Sequence, residues 1–244
     1  MKNFFLTTLL LLAGIASYAN QADTTRVLIV GNSFTFFFDS WDVLQTICES
    51  EGKAVDIVHV AQPGYTFGNH LMLEQTTKAI MEGGYDYAIL QDQSQTPAWY
   101  SSGEPKAANA VENLRTLAYR IKGWSPDVQI INECTWAYTG RKNGGFKDVK
   151  TFDKYLQKGS KSYAKSIGSK VSPIGKAFQI VRKERPDINL YDPDNCHPSL
   201  LGIYLKCCVN YLTIFGGSFS DNVSDFGLDP AIAEYLRSIA QRVV

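Results

Sequence analysis

The sequence predicts an α/β sandwich built on a parallel sheet, and three observations lead there. Short apolar runs rich in β-branched residues recur along the chain, as strands buried on both faces require. Stretches with apolar residues at helical spacing separate those runs. The connections between them are short, which favours one layered domain. The chain has 244 residues, 45% of them hydrophobic and 20% charged, enough for a single domain with a core of ordinary size.

The opening "MKNFFLTTLLLLAGIASYA" stands outside that pattern. A lysine, a short apolar run and small residues at Ser17 and Ala19 have the layout of a secretory signal, with cleavage expected after Ala19. The run is short for a transmembrane helix, which needs about 20 apolar residues. A retained membrane anchor is the competing reading. Residues 1–19 are therefore expected to be a signal peptide and 20–244 a single domain. Export to the periplasm or the extracellular space follows, with no stable membrane insertion after cleavage.

The elements follow in order. "RVLIV" reads as the first strand, and Phe37, Trp41, Leu44 and Cys48 then recur at helical spacing. "AVDIVHV" is the second strand, followed by a Gly-rich turn and a helix from about His70 to Met81. "YDYAIL" is the third. Ala110, Leu114, Leu117 and Ile121 mark a helical stripe that Gly123 and Pro126 end. "VQIINE" is the fourth strand. The polar connection "YTGRKNGGF" leads to a helix carrying Phe152, Leu156 and Tyr163. "SKVS" suits a short fifth strand before a helix that begins near Pro173. Leu201, Tyr204 or Leu205, Cys208 and Leu212 mark one more helix, and Ile232, Leu236, Ile239 and Val243 the last.

Charge and cysteine usage bound the function. The 24 basic and 24 acidic side chains balance, and loss of Lys2 with the signal leaves the mature chain one charge acidic. Without a basic stripe, nucleic acid is not an expected partner. Five cysteines are an odd number for an oxidising compartment, so at least one stays unpaired in a monomer. They lack C-x-x-C spacing, and the histidines do not supply a zinc set, so no metal is expected.

In a parallel α/β sheet, ligands bind beyond the carboxyl ends of the strands. The first strand ends in Gly31-Asn32-Ser33, the second in "QPGYTFGN", the third in Gln91-Asp92-Gln93-Ser94 and the fourth in Glu133-Cys134-Thr135-Trp136. Late in the chain, "DPDNCHPS" puts Asp194 three residues before His197. A serine becomes a nucleophile only beside a base, and the base needs an acceptor to hold its tautomer. Ser33, His197 and Asp194 supply those parts, with Asp192 as the other acid that could orient the histidine. The N–H of Ser33, the N–H of Gly64 and the amide of Gln93 are candidate donors to an oxyanion. Each part also has a plain reading: Gly-Asn-Ser as an N-cap, His197 as a structural histidine, Gly64 as a turn. Their conjunction at the strand ends favours catalysis.

With these residues in view, "GNSFT", Gly64 after the second strand and the late D-x-x-H resemble the SGNH (GDSL-type) hydrolase superfamily, over Gly31 to about Leu212. The resemblance implies a flavodoxin-like three-layer α/β/α sandwich with a central parallel sheet of about five strands. It also implies Ser33 as nucleophile, Asp194 and His197 as acid and base, and Gly64 as an oxyanion glycine. The third block departs from the family's G-x-N-D: the segment Gln91-Asp92-Gln93-Ser94 puts Gln93 at the asparagine position. "YDYAILQDQSQTP" with "ECTWAY" is similar to a branch catalogued mainly as a domain of unknown function. The G-x-S-x-G elbow of the α/β-hydrolases is absent around Ser33.

The function expected is a secreted serine esterase that removes a small acyl group, acetyl above all, from a carbohydrate, with no cofactor. Asn32, Asp92 and Trp136 are candidate substrate contacts; Asp92 and Glu133 could each support neighbouring site residues, contact substrate or be solvated loop acids. Tyr65, Trp99, Tyr100, Trp136 and Tyr138 offer aromatic faces suited to sugar rings or to a core. Cys134 and Cys196 both fall near the site, where a disulfide would stiffen the histidine loop. Two other functions remain: a glycan-binding protein without turnover, and a hydrolase of lipids or acyl thioesters.

Overall fold

The computed structural model describes residues 24–244, so the expected signal lies outside the described residues. In chain order the elements are β1 (Thr25–Gly31), α1 (Ser33–Phe36), α2 (Ser40–Ser50), β2 (Val55–Ala61), α3 (Phe67–Met72), α4 (Glu74–Glu82), β3 (Tyr87–Leu90) and α5 (Thr96–Ser102). There follow α6 (Ala110–Trp124), β4 (Gln129–Glu133), α7 (Gly140–Gly144), α8 (Val149–Ile167), β5 (Lys170–Ser172), α9 (Ile174–Glu184), α10 (Leu200–Phe215) and α11 (Pro230–Val243).

The five strands form one parallel sheet in the order β2-β1-β3-β4-β5. β1 lies inside it, with Val27 opposite both Ile57 and Tyr87, which explains its continuous apolar run. Alternate residues feed two cores, as the period of a strand demands. Val27 and Ile29 join Ile89 and Ile131 under α2, α9, α10 and α11. Leu28 and Val30 join Ala88, Leu90 and Ile130 under α4 and α6. The result is the three-layer α/β/α sandwich expected of the sequence.

The chain leaves β1 for α2 on one face and leaves β2 for α4 on the other. That divergence opens a crevice beyond the carboxyl end of β1, the usual ligand position in such folds. α10 is apolar nearly all round, and it is buried from Gly202 to Ile214. Among the described residues, no helix is long and apolar enough to cross a membrane.

Two details differ from the sequence reading. The helix expected over His70–Met81 is two helices, broken where Leu73 turns extended (φ −87°, ψ 122°). The break lets the His70 ring bond Thr76 Oγ1 at 2.8 Å and the Gly31 carbonyl at 2.9 Å. The segment holding Trp99 is α5 rather than an open connection. α5 packs so closely on α8 that a Cβ at Gly159 would lie 1.9 Å from the Pro97 carbonyl oxygen. Gly159→Ala should therefore force the two helices apart and lower stability by about 1–3 kcal/mol, read from chemical denaturation.

Candidate active site

Ser33 opens α1 immediately after β1. Asn32 caps that helix, accepting the Phe34 N–H at 3.2 Å, while its Nδ2 donates to the Tyr65 carbonyl at 3.0 Å. Its own N–H donates to Gln91 Oε1 at 3.0 Å. These bonds fasten the turn to the loops after β2 and β3. Beneath the turn, the fully buried Lys206 Nζ donates to the Phe34 carbonyl at 3.0 Å and pairs with Glu133 Oε2 at 3.1 Å. Asn210 Nδ2 donates to the second Glu133 oxygen at 2.7 Å and accepts from Ser172 Oγ at 2.7 Å.

The histidine loop comes from the far end of the chain. Asp192 N–H donates to the His197 carbonyl at 2.9 Å, and Asn195 occupies the left-handed region (φ 55°) that Asn tolerates. Asp194 Oδ1 accepts the Cys196 and His197 N–H groups at 2.9 Å each, and Oδ2 lies 2.6 Å from His197 Nδ1. Burial would raise the Asp194 carboxyl, but the bonds from His197 and Cys196 outweigh it and hold the group below its usual range. A carboxylate only accepts, so the proton sits on Nδ1 and leaves Nε2 to receive one. Ser33 Oγ lies 2.9 Å from that Nε2. Asp194, not Asp192, bonds the ring.

Aromatic packing holds the imidazole. The Phe37 ring stacks on it at 4.4 Å and 1°, and Phe34 meets it edge-on at 5.6 Å. The cleft beside Ser33 has a volume of about 240 Å³ and is lined by Phe36, Phe37, Pro63, Gly64, Gln93 and Arg141 among others. The N–H groups of Ser33 and Gly64 have no acceptor among the described residues, and Gly64 holds the φ of 70° that suits glycine. Gln93 also lines the cleft, yet its carboxamide faces α5. Its Oε1 accepts the Gln95 N–H at 2.9 Å and its Nε2 donates to Gln95 Oε1 at 2.6 Å. One hydrogen of Nε2 stays uncommitted.

Of the three expected substrate contacts, Trp136 and Asp92 are packed inside the protein and do not line the cleft beside Ser33, whereas Asn32 lines it with its amide engaged by the protein. Trp136 is fully buried, stacked between Phe34 at 4.4 Å and Phe178 at 4.3 Å, and its indole N–H donates to the Cys196 carbonyl at 3.1 Å. Asn32 uses both ends of its amide on the protein. Asp92 is buried, accepting from Phe67 N–H at 3.0 Å, Gln93 N–H at 2.9 Å and Tyr163 OH at 2.9 Å. Burial pushes its carboxyl up to about 6 despite those three bonds. Tyr138 is buried too, and Trp99 lines a neighbouring cavity under Lys106, so the aromatic wall of the cleft is Phe36 and Phe37 instead.

Cys134 and Cys196 are both free and buried, so no disulfide braces the loop. Asp194, Cys196 and His197 bring potential ligand atoms within 4.8 Å of one another. Burial pushes the Cys196 thiol up to about 11, and both imidazole nitrogens have protein partners. That donor set suits serine activation, not a metal. Phe36, Phe37, Arg141 and Lys206 escaped the sequence reading as site residues. A lone lysine in the apolar run "LLGIYLKCCVNYLTIF" was the one available signal for the last.

Solved structures supply the comparison. A DUF4886 family protein from Bacteroides uniformis superposes with a TM-score of 0.76 at 20% identity, covering 90% of this chain and 94% of that one. A GDSL-like lipase from Parabacteroides merdae gives 0.60 at 14% identity, covering 81% and 98%. A catalytic mutant of the acetylxylan esterase Axe2 from Geobacillus stearothermophilus gives 0.58 at 16%, covering 80% and 97%. These likenesses show a shared fold, the three-layer α/β/α sandwich. No family model and no curated protein matches the chain.

Two measurements probe the supports of this site. Lys206→Met leaves Glu133 buried without its cation and should cost about 3–5 kcal/mol, while adding Glu133→Gln should recover much of that loss in denaturant midpoints. The raised Asp92 carboxyl makes the folded state bind a proton between about pH 4 and 6 that the unfolded chain releases. Its contribution to stability is thus full below that window and falls as pH rises through it, by on the order of 3 kcal/mol. Asp92→Asn removes this dependence, so its stability relative to wild type should be better at pH 8 than at pH 4, measured by thermal unfolding.

Proposed function

We propose that this protein is an exported serine esterase that hydrolyses a small acyl ester, acetyl above all, on a carbohydrate. The observation that carries the reading is the aligned Ser33–His197–Asp194 relay, at 2.9 and 2.6 Å, facing a cleft with two unpaired N–H groups. His197 Nε2 takes the Ser33 proton as Oγ attacks the ester carbonyl. Asp194 holds the tautomer and stabilises the imidazolium that forms. The N–H groups of Ser33 and Gly64 bind the developing oxyanion, and the free hydrogen of Gln93 Nε2 adds a third donor after a small side-chain turn. His197 then protonates the departing alcohol, and water, deprotonated by the same ring, releases the acyl group.

The small volume and the Phe36–Phe37 wall favour a short acyl chain over a lipid tail. The likeness to an acetylxylan esterase supports the carbohydrate part of the reading, and the layout of residues 1–19 supports export.

Hydrolysis of p-nitrophenyl acetate by the protein, against Ser33→Ala, tests the mechanism. Turnover should fall about a thousandfold or more in the variant. Across p-nitrophenyl esters, kcat/KM should decline from acetyl to octanoyl. Equal turnover in both proteins removes Ser33 from the reaction, a rise with chain length favours a lipid hydrolase, and sugar binding that Ser33→Ala leaves intact, without turnover, favours a glycan-binding protein.

A further inference from the structure

Among the described residues that line the cleft, Arg141 alone carries a permanent charge. No ion pair among the described residues includes it. In the histidine loop, Asp194 has its oxygens engaged by three donors from Cys196 and His197. A guanidinium left without a carboxylate beside a reaction centre is a recognition group waiting for an anion.

The backbone around it is strained in a way that sets its position. Arg141, Lys142, Asn143, Gly144 and Gly145 have φ of 49°, 52°, 54°, 64° and 89°, so three successive non-glycine residues occupy the left-handed region. L-residues adopt such a run only where the surroundings enforce it. One end is enforced by the histidine loop: Gly140 N–H donates to the Asn195 carbonyl at 2.9 Å, and a Cβ at Gly140 would lie 2.5 Å from the Asp194 carbonyl oxygen. At the other end, a Cβ at Gly144 would meet the Phe152 ring at 2.6 Å. Arg141 is therefore anchored one residue from the loop that carries the base.

That placement assigns a side to the charge. In an ester hydrolysis the base returns its proton to the leaving oxygen, so the alcohol lies toward His197. The Gly64 donor lies on the separate loop after β2. We infer that Arg141 selects esters whose alcohol portion carries a carboxylate, for example an acylated uronate unit. The inference rests on the esterase reading above and adds the charge of the substrate to it.

The matched pair 4-acetoxybenzoate and methyl 4-acetoxybenzoate tests it, because the two acetyl esters differ chiefly in the carboxylate. Wild type should prefer the anion. Arg141→Gln should lower the ratio of kcat/KM for the anion to that for the methyl ester by about tenfold, the worth of one charge-assisted hydrogen bond. Arg141→Lys should restore part of it, and about 0.5 M salt should shrink it. Titration calorimetry of both compounds on Ser33→Ala, with and without Arg141→Gln, reads the same preference without turnover. A wild type that prefers the methyl ester, or a preference that Arg141→Gln leaves unchanged in kinetics and calorimetry, overturns the role of Arg141. Turnover of the methyl ester in that case keeps the esterase reading standing. Absence of turnover with carboxylate binding intact sinks the esterase reading alone.

Discussion

The site depends on one buried ion pair. Lys206 and Glu133 are both almost wholly removed from water, which costs several kcal/mol per charge and is tolerated only when every polar neighbour is matched. The matching here is dense. Asn210 holds the second Glu133 oxygen, Ser172 holds Asn210, and the ammonium reaches the Phe34 carbonyl in the turn that carries Ser33. β4, β5 and α10 are thereby tied to a turn that follows β1, far earlier in the chain. Gln91 and His70 hold the same turn from the other layer, through Asn32 N–H and the Gly31 carbonyl. Ser33, mounted on so fixed a turn, keeps its hydroxyl 2.9 Å from His197 Nε2.

Aromatic stacking performs the matching task for His197. Phe34, next to Ser33, stacks on Trp136 after β4, which stacks on Phe178 in α9. The Trp136 indole then holds the Cys196 carbonyl, one residue before His197. Phe37 closes over the imidazole face. The side chain expected to meet a sugar is thus a spacer that sets the distance between the serine turn and the histidine loop. The loop needs no disulfide, because two backbone N–H bonds to Asp194 and this indole bond already hold it.

The third block shows how a single altered residue type redistributes roles. Asp92 faces inward to Phe67, Gln93 and Tyr163, where burial raises its carboxyl, and it shapes the loop without reaching the cleft. Gln93, one methylene longer than asparagine, folds its amide onto the start of α5. The cleft keeps the backbone donors of Ser33 and Gly64, whose directions the main chain sets.

Much of this was legible in one dimension. Short apolar runs marked β1 to β4, and "SKVS" just before Pro173 suggested the fifth strand. The strand-end rule then picked out Ser33, Gly64 and Gln93, and the three-residue spacing paired Asp194 with His197, since both steps involve only local geometry. The split at Leu73, the helix at Thr96–Ser102 and the burial of Trp136, Asn32 and Asp92 were not legible. Each depends on what another element presents across the sheet: the Gly31 carbonyl for His70, Gly159 for α5, Phe178 for Trp136. The sequence alone determined the layers, the sheet and the residue types at its carboxyl edge, because periodicity and chain order encode them. Only the tertiary structure decided which of those side chains face the cleft, because burial is a property of neighbours brought together from distant parts of the chain.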